Sequence, residues 1–170
     1  MKVAILTTET PHHARFVQEI TRIIPVELVL SETKELKAPF ETNHPFEIQR
    51  DHFERKTWFA GENPSLSEVS NTEVNSFPSL NDMEAIETLK NLSPDVVVVF
   101  GTGLLRASVI ATCPNGMINL HGGDPEEYRG LDSHMWAIYH KEFEALKTTL
   151  HHVDISLDSG KIIGQQAIFI

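Results

Sequence analysis

The residues with the clearest chemical potential stand in one short stretch, NLHGGDPEEYRG, at positions 119–130. Asn119 and His121 are two apart, so on an extended strand their side chains share a face. Gly122 and Gly123 follow at once and let backbone or ligand come close. An amide beside an imidazole can hold the charge that develops on a carbonyl oxygen under nucleophilic attack. A neighbouring carboxylate would set the state of the imidazole or take a proton from the attacking group. The candidate is Asp158 in LDSGKII, in a turn between the last two strands. Residue types alone leave two readings open: an acyl-transfer site, or a histidine that only ties a turn to its neighbours.

A scaffold has to position these groups. KVAILTT (2–8) reads as a buried strand, and HHARFVQEITRI (12–23) as a helix with Phe16, Ile20 and Ile23 at helical spacing. Pro25 stops it, and VELVL (26–30) is a second strand, which opens a parallel sheet. Residues 31–72 are polar and carry Pro39, Pro45 and Pro64. They read as an excursion able to cover a site, or as solvated decoration. Within it, residues 46–61 read as a helix with Phe46, Phe53 and Trp58 as apolar points. NTEVNSF (71–77) is a short strand, and residues 81–92 a helix capped by Asn81 or Asp82. SPDVVVVFGTGLL (93–105) is a strand buried on both faces that ends at Gly101 and Gly103.

A short helix over LRASVIAT and a strand over GMINLHGG (116–123) follow. Residues 132–146 read as one helix capped by Asp132 or Ser133, with Trp136, Tyr139, Phe143 and Leu146 as its buried stripe. KTTLHHVDIS (147–156) and KIIGQQAIFI (161–170) are the last strands. The fold class expected is α/β, a Rossmann-like, open, mostly parallel twisted sheet with helices on both faces, as one catalytic domain over 1–170. Ligands of such sheets sit beyond the carboxyl ends of the strands, where TTETPHH, FGTGLL and NLHGG all stop. The chain closes on an apolar strand that a complete domain would cover, so a closing element is expected to be missing.

Composition narrows the function. The chain has 170 residues and a net charge of −10, which argues against a general nucleic-acid surface. Cys113 is the single cysteine, so no intrachain disulfide forms and a cysteine-based zinc site is excluded. The nine histidines show no zinc-like spacing, and no metal is expected. The opening apolar run is too short for a signal peptide, and no run approaches the roughly 18 residues of a membrane span. A cytoplasmic enzyme or binding domain without membrane contact is the expectation.

VVVVFGTGLLRASVI, followed by GMINLHGGDPEEYRGLDSHMWAIYHKEFEALKTTLHHVDISLDSGKII, resembles the N-terminal catalytic domain of the folate-dependent formyltransferases. The resemblance rests on linked motifs in order. They are Asn-x-His, a proline and then Arg-Gly, a Trp-containing helix, a Thr-x-His strand, and Leu-Asp-Ser-Gly where threonine is usual for Ser159. It implies that Asn119, His121 and Asp158 are the catalytic trio, with His151 in support. It implies N10-formyltetrahydrofolate as formyl donor, with Phe100, Gly101, Gly103, Leu104, Leu105 and Asp154 around it. Thr10, His12, His13, Arg129, Gly130 and Trp58 are then expected to meet the acceptor.

The acceptor is read from what differs. TTETPHHARF has no glycine, so the phosphate-holding turn of glycinamide ribonucleotide enzymes is not expected. GGDPEEYRG stands where methionyl-tRNA formyltransferases carry Leu-Leu-Pro, and those enzymes add a second domain. The chain looks most like the sugar-nucleotide N-formyltransferases, which implies a dTDP- or UDP-linked 4-amino-4,6-dideoxy sugar for lipopolysaccharide O-antigen. Phe40, Phe46, Phe53, Trp58 and Phe59 in the excursion are expected to hold part of it. Methionyl-tRNA remains the alternative acceptor, and hydrolysis of the same donor the alternative reaction, although deformylases usually carry a regulatory domain before the first strand. A non-catalytic folate or sugar-nucleotide binding protein is less consistent with an intact trio, and a homodimer is left open.

Overall fold

A computed structural model describes residues 1–34 and 47–169. Seven strands, β1 (Val3–Thr7), β2 (Leu28–Glu32), β3 (Glu73–Phe77), β4 (Val96–Phe100), β5 (Met117–His121), β6 (Lys147–His152) and β7 (Ile162–Ala167), form one sheet. Their order is β3-β2-β1-β4-β5-β6-β7. The first five in sequence run parallel, and β6 and β7 each pair antiparallel with the strand before. The helices are α1 (Pro11–Ile23), α2 (Glu47–Phe59), α3 (Leu66–Ser70), α4 (Met83–Leu92), α5 (Ala107–Ile110) and α6 (Ser133–His140).

The strands are apolar on both faces because both are covered. Ala4, Leu6, Leu28, Leu30, Val97, Val99 and Met117 pack with Ile86 and Leu89 of α4 and Val109 of α5. The alternate residues Val3, Ile5, Val29 and Val98 pack with Ala14 and Val17 of α1 and Leu66 of α3. The chain winds outward from β1 to β3, then crosses back to β4 on the other side of β1. The carboxyl ends of β1 and β4 therefore flank the topological switch point, where doubly wound sheets bind ligands.

Several expectations shift. The second strand lies two residues later than VELVL, because it pairs Leu28–Ser31 with Ala4–Thr7 and thereby places Glu32 at the carboxyl edge. Of the expected stripe of α1, Phe16 and Ile20 pack half-buried against the core beside the fully buried Ala14 and Val17, while Ile23 is exposed. Of the excursion at 31–72, Ser31 and Glu32 complete β2 and α3 sends Leu66 into the core. Pro39, Phe40, Pro45 and Phe46 lie outside the described residues.

The expected helix over 132–146 is broken. Lys141 is left-handed, with φ 63°, and its N–H closes the helix on the carbonyls of Ala137 and Ile138. A single 3-10 turn, Phe143–Ala145, follows. That break takes Phe143 off the helical period, while Trp136 and Tyr139 lie within α6 on the side away from its packed residue Ala137, and of the expected stripe only Leu146 is buried. Trp136, Tyr139 and Phe143 are 45%, 75% and 50% exposed, and Ala137 and Ala145 are the residues packed inward with Leu146.

Candidate active site

The pairing of β5 with β6 builds the site. Asn119 stands directly opposite His151, and His121 opposite Thr149. Directly paired residues of an antiparallel ladder share a face, so Asn-x-His on one strand meets Thr-x-His on the other. All four lie on the face that Met117 begins in the core. After β6 the chain turns, and Asp158 comes back over that face from a left-handed backbone, φ 46°. Few non-glycine residues take this conformation, and it marks a position that its surroundings enforce.

Asp158 is the hub. Its Oδ2 lies 3.4 Å from His121 Nδ1 and accepts a hydrogen bond from the Gly130 N–H at 2.8 Å. Its Oδ1 accepts from Asn119 Nδ2 at 3.3 Å and lies 3.6 Å from His151 Nε2. Burial works to raise the pKa of Asp158 and is the largest single influence. The hydrogen bonds from His151 and Gly130 and the charges of His121 and His151 outweigh it together and hold the carboxyl below its ordinary range. For His151 burial again acts first, downward, and the hydrogen bonds to Asp158 and the His152 carbonyl with the charges of Asp158 and Asp154 reverse it upward.

His121 is 6% exposed. Its Nε2 donates to the Tyr128 carbonyl at 2.9 Å, which directs Nδ1 at Asp158. His151 donates from Nδ1 to the His152 carbonyl at 2.8 Å and holds Nε2 3.1 Å from Asn119 Nδ2. The set is thus four groups, with His151 in direct contact with two members of the trio.

The loop that carries Tyr128 is built in part by three residues the sequence did not single out, Asp124, Lys147 and Gln165. Asp124 accepts from Lys147 Nζ at 2.6 Å, from the Glu126 N–H at 3.1 Å and from Gln165 Nε2 at 3.3 Å. Thr149, fully buried, donates to the Gly123 carbonyl at 2.7 Å. A Cβ on Gly123 would come within 2.7 Å of Ser133 Cβ, so glycine permits this close turn. Arg129 Nε donates to the Pro125 carbonyl at 2.7 Å. Arg129 and Gly130, expected at the acceptor, are placed as builders of the loop and of the Asp158 clamp. Asp154 accepts from the Ser156 N–H and the Ser159 hydroxyl, organising the turn that delivers Asp158.

Across the switch point, α1 brings His12 and His13 against Phe100, with Thr10 at the cap position before the helix. The rings of His13 and Phe100 lie 4.7 Å apart, and His13 Nδ1 meets the hydroxyls of Thr8 at 3.1 Å and Thr10 at 2.6 Å. Burial first, then the charges of His12 and Arg50, push the pKa of His13 down to about 3, so the ring is neutral. His12 Nδ1 lies 3.1 Å from the buried Glu54 carboxylate on α2. Trp58 is on the same helix at 36% exposure and Phe53 at 65%, and neither is brought to the trio by a described contact. Leu105 is packed in the core while Leu104 is 55% exposed, so only Leu104 presents its side chain at the mouth.

Gly101 makes this corner possible. Its φ is +75°, and a Cβ there would lie 1.8 Å from His13 Nε2. Gly101→Ala is expected to cost on the order of 3 kcal/mol, combining left-handed strain with overpacking, measured by urea unfolding. His13→Ala in the same chain should recover part of the loss. Full stability of the single variant would show that the corner is not packed as described.

Among the described residues no group of three His, Cys, Asp or Glu side chains is arranged to hold a metal ion. No helix described is long and apolar enough to cross a membrane.

Comparison with known proteins places this geometry. The methionyl-tRNA formyltransferase of Clostridium tetani is 39% identical over 84 residues, which are 49% of this chain and 27% of the relative. That of Legionella pneumophila is 32% identical over 105 residues, 60% of this chain and 33% of the relative. The match thus spans a third or less of these relatives' length. The solved phosphoribosylglycinamide formyltransferase from Bacillus halodurans shares the fold at 20% identity, with a TM-score of 0.67 over 100% of this chain and 80% of the other. HypX from Aquifex aeolicus aligns at 14% identity and a TM-score of 0.51, over 98% of this chain and 22% of its own. The sequence model of the formyl transferase family matches residues 1–170, the full span that supplies the switch-point corner and the Asn119, His121 and Asp158 cluster, and the chain belongs to that family.

Proposed function

We propose that this protein transfers a formyl group from N10-formyltetrahydrofolate to a primary amine, and that the amine is carried by a nucleotide-linked amino sugar. The observation that carries the reaction class is the convergence of Asn119, His121 and His151 on Asp158 at the carboxyl end of β5. Asn119 and His121 hold the oxygen of the formyl group as the amine attacks its carbon. Their present partners are ones they can exchange. The Asn119 bond to Asp158 is long at 3.3 Å, and catalytic hydrogen bonds tighten on the transition state rather than before it. Asp158, an ionised carboxylate, takes the proton released by the amine, directly or through water. The C–N bond to N10 then breaks, N10 receives a proton, and a formamide and tetrahydrofolate leave. The Gly101–Leu105 loop, with the open side chain of Leu104, is the proposed seat of the pterin. Asp154 belongs to the donor side through the turn that carries Asp158.

The acceptor faces the other wall, where Thr10, His12 and the neutral His13 offer hydroxyl and imidazole partners suited to sugar hydroxyls. The net charge of −10 disfavours a large polyanionic acceptor such as tRNA. Methionyl-tRNA is the second reading, favoured by the names of the curated relatives. Trp58 and the excursion around it remain part of the proposed sugar-nucleotide site, and the working location is the cytoplasm.

A panel of amino-sugar nucleotides, methionyl-tRNA and glycinamide ribonucleotide, each mixed with donor and protein, separates these readings by mass spectrometry. One amino-sugar nucleotide heavier by the mass of CO is the expected product. Formylated methionyl-tRNA alone would replace the sugar reading, and tetrahydrofolate released without any acceptor would mean hydrolysis.

A further inference from the structure

Glu32 ends β2 at the carboxyl edge of the sheet and is 6% exposed. Both of its oxygens are engaged by backbone groups from other segments. Oε2 accepts from the Gly103 N–H at 2.7 Å, and Oε1 from the Leu80 N–H at 3.3 Å. The residue after Leu80 continues the same clamp. Asn81 Nδ2 donates to the Leu104 carbonyl at 3.0 Å, and Asn81 Oδ1 accepts from the Arg106 N–H at 2.7 Å. Two side chains therefore hold three backbone groups in four successive residues, Gly103–Arg106. This stretch is neither helix nor strand, so its shape depends on such side-chain partners. Leu105 anchors it from beneath, while Leu104 is left facing out.

We propose that Glu32 and Asn81 are positioning residues for the formyl donor, fixing the Gly101–Leu105 loop so that its backbone and Leu104 meet the pterin in one geometry. The inference rests on the reading of that loop as the donor's seat. The residue types match the task. A carboxylate has only acceptors, and Glu32 faces two N–H groups. An amide has one donor end and one acceptor end, and Asn81 faces one carbonyl and one N–H. Glu32→Gln would turn an N–H toward one of the two backbone N–H groups. Asn81→Asp would set a carboxylate oxygen against the Leu104 carbonyl. Both changes preserve volume and break the pattern of donors and acceptors.

The test combines three readouts on Glu32→Gln and Asn81→Asp. They are amide hydrogen exchange at Gly103 and Arg106, calorimetric binding of tetrahydrofolate, and steady-state kinetics with donor and acceptor varied in turn. Each variant is expected to exchange faster at its own amide and to bind tetrahydrofolate about tenfold more weakly, the loss of one hydrogen bond to a polar or charged group. The KM for donor should rise by a similar factor, with kcat and the KM for acceptor little changed. Glu32→Asp, which keeps two acceptors on a shorter arm, should regain part of the affinity. A lower melting temperature with unchanged tetrahydrofolate affinity would reduce both residues to a structural role and overturn the proposal. A wild-type protein that binds no tetrahydrofolate would overturn the donor reading itself, and faster exchange at Gly103 in Glu32→Gln and at Arg106 in Asn81→Asp would still show that the clamp holds the loop.

Discussion

Replacing His121 by alanine is expected to lower turnover by roughly 10²- to 10⁴-fold, the range for losing a positioned acid–base or charge-stabilising group. The protein should stay folded. Asp158, the charge left behind, keeps the Gly130 N–H at 2.8 Å and His151 at 3.6 Å, so it is not stranded. The Tyr128 carbonyl loses its donor, a cost of about 1–3 kcal/mol for an unsatisfied polar group. The KM for donor should move much less than kcat, because His121 acts on the oxygen whose charge grows only in the transition state. Near-normal turnover in this variant, with circular dichroism unchanged, would remove His121 from the chemistry.

Asp158→Asn is the second large effect, and it has a pH signature. Turnover should fall by roughly 10²- to 10⁴-fold, since an amide cannot accept the amine proton. Stability should fall as well, and the sign of its pH dependence follows from the direction of each shift. Asp158 is held below its ordinary carboxyl range, so its contribution is present above that range and is lost as pH drops through the depressed native value. His151 is raised above 6.5, so its contribution is full below 6.5 and is lost as pH climbs through the raised native value. Wild type should exceed Asp158→Asn most between these limits, in mildly acidic solution, and the gap should narrow toward strong acid and toward alkaline pH. Urea unfolding of both proteins across that interval measures it. A gap that does not vary with pH would mean that Asp158 and His151 are not coupled as the distances indicate.

What the sequence made legible was periodicity and chemistry along the chain. The valines at 96–99 read as a strand covered on both faces, and they are. Asn119 and His121 share a face because strands alternate, and Asp158 lies in the turn where the strand pattern put it. The residues that bind segments distant in sequence were not legible. Glu32 ends a strand whose register runs two residues later than its apolar run, and nothing local shows that its carboxylate reaches Gly103, 71 residues away. His151 lies against Asn119 through the β5–β6 register, and only the resemblance to a family gave it a role. Phe143 misled because helical spacing was carried through Lys141, where the backbone turns left-handed and the helix stops, whereas Trp136 and Tyr139 lie within α6 and are exposed because the helix turns Ala137 inward instead. Spacing predicts a face only while the helix lasts.

The most direct measurement is of formyl transfer itself. N10-formyltetrahydrofolate carrying an isotopic label in its formyl group is incubated with the protein and an amino-sugar nucleotide, beside a parallel reaction with Asp158→Asn. The label should appear in a formamide on the amine, in step with release of tetrahydrofolate, and should be nearly absent with the variant. Label recovered as free formate, or transfer that proceeds equally well without Asp158, would contradict the account.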